Sequence, residues 1–198
     1  MSVEDTVKRL FIILSLCTLV ACAHSPIQIQ VRPQVQVAPS VIGSGYTLSV
    51  QGVSELPEDG LGSLGGIYAD TANIRLANSV EDALASALAE GFAQWGFRTV
   101  PATDPSARVQ VVADLTGLKY DSPNKIYTSQ VDSEAEIQLT VRIGGATYFG
   151  SYRSSGKDRS LIKPNKEEVE TRLNGLLSAT LQRVFEDEKI KMFLQANL

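Results

Sequence analysis

Histidine and cysteine are nearly missing from this 198-residue chain, which holds one His, at position 24, and two Cys, at 17 and 22. A Ser-His-Asp or Cys-His centre needs an imidazole inside a preorganised site, and His24 lies outside the folded pattern that begins a few residues later. No cluster of Cys and His is available to hold zinc, so no metal site is expected. Basic excess is absent too: 18 Lys plus Arg stand against 22 Asp plus Glu, a formal charge of −4, which gives no electrostatic footprint for nucleic acid. The N-terminal apolar run, Leu10 to Val20, is too short for a spanning helix, which needs about 20 apolar residues. With 43% hydrophobic and 20% charged residues, the chain reads as neither disordered nor polytopic. It shows no internal repeat and no low-complexity tract.

What is present at the N-terminus is specific. Lys8 and Arg9 lead the apolar run, which stops at Ala21 and Cys22, the layout of a signal peptide, although Glu4 and Asp5 dilute its charged start. Leu19-Val20-Ala21-Cys22 resembles the bacterial lipobox, in which cleavage after a small residue leaves a lipidated Cys as the mature N-terminus. Cys17 follows Leu16 and lacks that small residue. The expected divisions are a signal peptide over 1–21, a lipidated Cys22 with a tether or edge strand over 22–39, and one α+β domain over 40–198. Each buried CH₂ contributes ~0.8 kcal/mol, so an N-acyl chain and an S-diacylglycerol on Cys22 would make a practically permanent anchor. Ala23, in place of an Asp, favours the outer membrane, periplasmic side, by resemblance to sorted lipoproteins. No cofactor beyond this covalent lipid is expected, and with the Cys22 sulfur used no disulfide remains.

From Ile27 the pattern is strict alternation: Ile27, Ile29, Val31, Val35 and Val37 are apolar, and Gln28, Gln30, Arg32, Gln34 and Gln36 are polar. Period two predicts extended chain with one buried face, and Pro33 and Pro39, which cannot donate to a ladder, make it an edge strand or an extended tether. Tyr46, Leu48 and Val50 continue the alternation, and residues 54–73 read as a long irregular stretch. Val80, Ala83, Leu84, Ala87, Leu88, Gly91 and Trp95 make one helical stripe, capped by Asn78 or Ser79 and closed by Gly96. Three strands follow, around 109–115, 134–143 and 147–155, the last two joined at Gly144-Gly145 as part of an antiparallel meander. Asn165 and Glu168 form a capping box for a second long helix, with a last turn at Ile190, Phe193 and Leu194. The expected fold is a two-layer α+β sandwich: an antiparallel or mixed sheet of about four to five strands with two long helices packed on one face.

The lipobox, the Pro- and Gln-bearing segment after it, Tyr46-Thr47-Leu48-Ser49-Val50-Gln51-Gly52, Trp95-Gly96-Phe97, Ala135-Glu136-Ile137 and Phe193-Leu194-Gln195-Ala196-Asn197 together resemble the YajG family of small bacterial lipoproteins. The resemblance implies an uncharacterised envelope lipoprotein and supplies no catalytic residues.

Several patterns compete for a chemical role. Glu134 and Glu136 share one strand face, near Asp114 or Asp132, and i, i+2 spacing suits the two carboxylates of a glycosidase; a solvated sheet face alternates in the same way, so no catalytic residues are assigned. Gly60-Leu61-Gly62-Ser63-Leu64-Gly65 has the spelling of a dinucleotide fingerprint without the strand before it or the helix after it, and reads as a loop over 60–66. Trp95 belongs to the core stripe. A binding face is expected from Arg32, Glu136, Gln138 and Arg142, with Gln28, Gln30, Thr140 and the tyrosines Tyr148 or Tyr152, suited to a polar glycan such as peptidoglycan or lipopolysaccharide. The proline-bearing edge with the Gly-rich loop is the alternative surface, one that takes a protein partner by strand addition. The expectation is a non-enzymatic accessory or adaptor for an envelope component, membrane-associated through its lipid, with no nucleic-acid partner and its oligomeric state open. Palmitate labelling in cells should be lost on Cys22→Ser; persistent labelling of that variant would contradict the anchor.

Overall fold

The computed structural model describes residues 27–57, 60–63, 73–122, 129–160 and 164–198, so Cys17, Ala21, Cys22 and His24 lie outside it. In chain order the elements are β1 (Ile27–Ile29), β2 (Thr47–Ser54), β3 (Gly62–Ser63), β4 (Ile74–Leu76), α1 (Val80–Gln94), β5 (Arg98–Val100), β6 (Val109–Asp121), β7 (Ser129–Ile143), β8 (Ala146–Ser160), α2 (Lys166–Glu186) and α3 (Glu188–Asn197). The main sheet runs β5-β2-β6-β7-β8, with β3 beside the end of β6. It is mixed: β5, β2, β3 and β6 are parallel, while β6, β7 and β8 form the antiparallel meander. Six strands replace the expected four to five because β3 and β5, at two and three residues, are too short to show a period. A full third helix, α3, stands where a last turn was expected.

Helix α1 packs on β2 and β6, and α2 on β7 and β8. Ser79 is the cap of α1, accepting from the Asp82 N–H at 3.0 Å, and Gly96 leaves the helix at φ 86°. Asn165 and Glu168 close the capping box of α2 with reciprocal bonds of 2.9 and 3.0 Å. The helices meet at Gly91, where an added Cβ would fall 2.2 Å from the Phe185 ring; that ring lies edge-on to Phe92 and Trp95. In β6 the buried residues are Val109, Val111, Ala113 and Leu115, then Leu118 and Tyr120. The parity changes because the register shifts between Leu115 and Gly117, and a bulge of one residue turns the strand over.

The alternating N-terminal segment departs from expectation. Only Ile27–Ile29 is a strand, and it pairs in parallel with β4 in a separate two-stranded sheet, not with an edge of the main sheet. From Gln30 the chain stays extended and lies along α2. The N–H groups of Gln30, Arg32, Gln34 and Gln36 donate to Glu170 Oε2, Asn174 Oδ1, Ser178 Oγ and Gln182 Oε1 at 3.0, 2.6, 2.9 and 3.0 Å. Asn174 and Gln182 also donate their amides to the carbonyls of Gln30 and Gln36, at 2.8 and 3.0 Å. The repeat works because two extended residues advance about 6.6 Å, close to the ~6 Å of four helical residues. Side chains at every fourth position of α2 thus replace a neighbouring strand. Pro33 is tolerated because an odd-numbered residue turns its backbone away from this ladder, and its ring is buried.

Among the described residues, no helix is long and apolar enough to cross a membrane.

Candidate functional site

The outer face of the sheet, away from the helices, carries three of the four expected binding residues. In register, Arg142 lies between Gln110 and Thr147, Gln138 between Asp114 and Ser151, and Glu136 beside Arg153. Arg32 is not among them: it is exposed on the docked segment, in the helical layer on the opposite side of the sheet. The expected tyrosines are also absent from this face. The hairpin pairs Ile143 with Ala146 across Gly144-Gly145, which puts even-numbered β8 residues on the helix side and Phe149 on the outer face, 74% exposed. Phe149 is the aromatic that reasoning from sequence missed, although counting parity back from the turn points to it.

The carboxylates on this face are tied to β8. Glu134 forms an ion pair with Arg153, whose pKa is raised by the hydrogen bond and charge of Glu134. Asp132 lies 4.0 Å from Lys157 and accepts from Gln130 at 3.2 Å, and Glu136 accepts from the Ser151 hydroxyl at 3.4 Å. This is the cross-strand pattern of a solvated antiparallel face. Asp114 turns one carboxylate oxygen, Oδ1, into a buried position without a hydrogen-bond partner.

Leu61, in the middle of the dinucleotide-like spelling, is buried; its N–H donates to Ile74 and its carbonyl accepts from Tyr120, both at 2.9 Å. That part of the segment therefore carries β3 onto β6, and residues 64–66 lie outside the described residues. Trp95 is a core residue, 2% exposed, as its place on the stripe predicts.

Tyr148 and Tyr152 instead converge on Asp187, between α2 and α3. Their hydroxyls donate to Asp187 Oδ2 at 2.6 and 2.9 Å, while Oδ1 accepts from the Lys189 N–H at 2.9 Å and caps α3. Burial pushes both tyrosine pKa values up, and the bonds to Asp187 push the same way. For Asp187, burial works upward, but the donors Tyr148, Lys189 N–H and Tyr152 outweigh it and hold the carboxyl below its ordinary range. A tyrosine pair held in this way is a clasp for the helix junction.

A family model described as uncharacterized lipoprotein matches residues 33–195, and the chain belongs to that family. No curated protein matches it. Among solved structures, protein XCC0632 from Xanthomonas campestris is similar at a TM-score of 0.58 and 10% identity, covering 88% of this chain and 99% of its own. That likeness is one of fold. A neuraminyllactose-binding hemagglutinin homolog from Helicobacter pylori gives 0.45 at 10% identity, over 87% of this chain and 97% of its own. Lipoprotein GNA1162 from Neisseria meningitidis gives 0.37 at 15% identity, over 72% and 99%.

The lowered pKa of Asp187 means that its contribution to stability is present above the unfolded-state pKa, near 3.8, and is lost as pH falls through the folded value. Asp187→Asn should therefore destabilise the protein most at neutral pH and progressively less in acid. Denaturant unfolding of both forms across pH measures this, and a constant difference would contradict it.

Proposed function

We propose that this lipoprotein is held by lipids on Cys22 at the periplasmic face of the outer membrane, and that it acts there as a non-enzymatic adaptor for another envelope protein. Within the lipoprotein family we read it as YajG-like, on the resemblance of its sequence motifs to that group. The short link supports a membrane-proximal role: only four residues lie between Cys22 and Ile27, so five steps of chain reach at most about 18 Å.

The observation that carries the adaptor reading is the outer edge of β8, fifteen residues long. From the pairing at the two-residue turn, Thr147, Phe149, Ser151, Arg153, Ser155, Lys157 and Arg159 turn their N–H and C=O groups away from β7. Among the described residues no strand pairs with that edge. Charges on an edge strand ordinarily blunt it, but here Arg153 and Lys157 are drawn back over the sheet toward Glu134 and Asp132. Beside them stands Phe149, an apolar anchor at the rim. An open ladder with one aromatic anchor suits addition of a partner strand.

A second reading, a glycan module on the same face, is favoured by Phe149 standing near Gln138 and Arg142. An aromatic face with neighbouring amide and guanidinium donors is a surface that stacks and hydrogen-bonds sugars.

One experiment separates the two. A photo-crosslinking residue in place of Phe149, activated in cells, should give a discrete protein adduct identifiable by mass spectrometry. Adducts to cell-wall or lipopolysaccharide sugar alone would overturn the adaptor reading in favour of the glycan one. A protein free of any adduct would contradict both.

A further inference from the structure

Side chains along the outer edge of β8 sort by chemistry. The odd-numbered residues from Thr147 to Arg159, whose backbone groups point away from β7, also turn their side chains onto the outer face of the sheet. In the half of this column nearer the Gly144-Gly145 turn the side chains are neutral, with Phe149 among them. The half that finishes β8 carries Arg153, Lys157 and Arg159 and no acid. The acids lie one strand further in, on β7: Glu134 pairs with Arg153, on which Glu136 also acts, and Asp132 stands 4.0 Å from Lys157. Asp158 belongs to the other face, where it pairs with Arg172 of α2.

The sign of charge thus alternates across the strands, acid on β7 and base on β8, and a strand added at the edge continues the alternation if it brings acid. Distance decides which charges such a strand feels. Its column would lie about 4.8 Å from the β8 cations and about 10 Å from the β7 acids, beyond the Debye length of about 8 Å at physiological ionic strength. Attraction to β8 therefore outweighs repulsion by β7. The cations can take a second carboxylate: Arg153 and Lys157 lean over the sheet, which clears the ladder, yet their side chains are 60% and 77% exposed, and a guanidinium carries five N–H donors. A second copy of this chain fits the edge badly. It would bring the same three cations without an acid, and full antiparallel overlap of residues 147–159 would set Arg153 against Arg153.

We infer that the partner strand received by β8 carries Asp or Glu opposite Arg153, Lys157 and Arg159 and an apolar side chain opposite Phe149. This rests on the adaptor reading and adds to it the chemistry of the partner strand and the order of its residues. Opposite charges and apolar pairs directly across a ladder are the contacts that stabilise it, whereas like charges there oppose pairing. The order also sets how the partner lies. The Gln30 N–H, just after β1, donates to Glu170 in the second turn of α2, and Asp158 pairs with Arg172 one turn on, so the N-terminal segment enters at the end of the domain where β8 finishes. The acidic end of the partner strand therefore lies toward the proposed lipid anchor, and its apolar end lies away from it.

The test uses the full chain, ¹⁵N-labelled in detergent, with the peptide acetyl-Glu-Thr-Glu-Thr-Thr-Thr-Glu-Thr-Thr-Thr-Val-amide, which matches the column from Arg159 to Phe149 on an antiparallel strand. Its reversed sequence matches the column on a parallel strand, and in the controls Lys replaces Glu. One of the two acidic peptides should slow hydrogen exchange at the N–H groups of Phe149, Ser151, Arg153 and Lys157, which are fast in the protein alone, while their even-numbered neighbours, bonded to β7, stay unchanged. The Lys peptides should leave all of them as they were. Lys157→Gln with Arg159→Gln should weaken binding about fivefold. Lys157→Glu with Arg159→Glu should transfer the preference to the Lys peptides. Absence of protection up to about 1 mM peptide overturns the inference, as does equal binding of acidic and Lys peptides. Protection of the same N–H groups in the protein alone, which would place a second copy on the edge, also overturns it. Any of these results together with a protein adduct at Phe149 in cells removes this inference and leaves the adaptor reading in place; adducts to sugar alone remove both.

Discussion

The structure depends on a ladder in which side chains of a helix satisfy the backbone of an extended segment. Six hydrogen bonds from α2 hold the main chain of residues 30–36. Each such bond contributes about 0.5–1.5 kcal/mol net. The ladder therefore fixes register as well as position. It requires polar residues at every fourth place on one flank of α2, and the adjacent flank of the same helix, about 100° around its axis, supplies Val169, Leu173, Leu177, Leu181 and Val184 to the core. One helix thus serves two neighbours of different chemistry.

Other features follow from that arrangement. The segment enters beside β4 at one end of the domain, crosses the helical layer, and reaches β2 near the end of α1, where Ser40 and Gly43 donate to Gln94 and Trp95. At this end Asp187 joins α2 to α3 and takes the hydroxyls of both inward tyrosines of β8. The helical layer is consequently fastened to the sheet at its far end by Asp187, while the docked chain runs along α2 within that layer. Among the described residues the outer edge of β8 is left without a partner strand, at the rim of the sheet and away from these fastenings.

Much of this was legible in the residues. The stripe of α1, the capping box of Asn165 and Glu168, the Gly144-Gly145 turn and the alternating meander are local signals, and local geometry decides them. The docked segment was half legible: alternation from Ile27 to Val37 reports one buried face, and says nothing of what lies beside the strand's edges. Polar residues at 170, 174, 178 and 182 are the signal that identifies the neighbour, yet on a surface helix they read as ordinary solvated positions. Arg32 was grouped with Glu136, Gln138 and Arg142 because all four are polar positions in alternating segments, and only the tertiary path separates them. The inward turn of Tyr148 and Tyr152 follows from the register of one hairpin, and the reversal after Thr116 from a bulge that no periodicity announces.

The most direct test of this account is amide hydrogen exchange in the full-length protein, resolved residue by residue over 27–40. Gln30, Arg32, Gln34 and Gln36 should exchange slowly and Val35 quickly, with the protection at Arg32 and Gln34 removed by Asn174→Ala together with Ser178→Ala. Uniformly fast exchange through the segment, or protection that survives both substitutions, would contradict the ladder on which the rest of the structure depends.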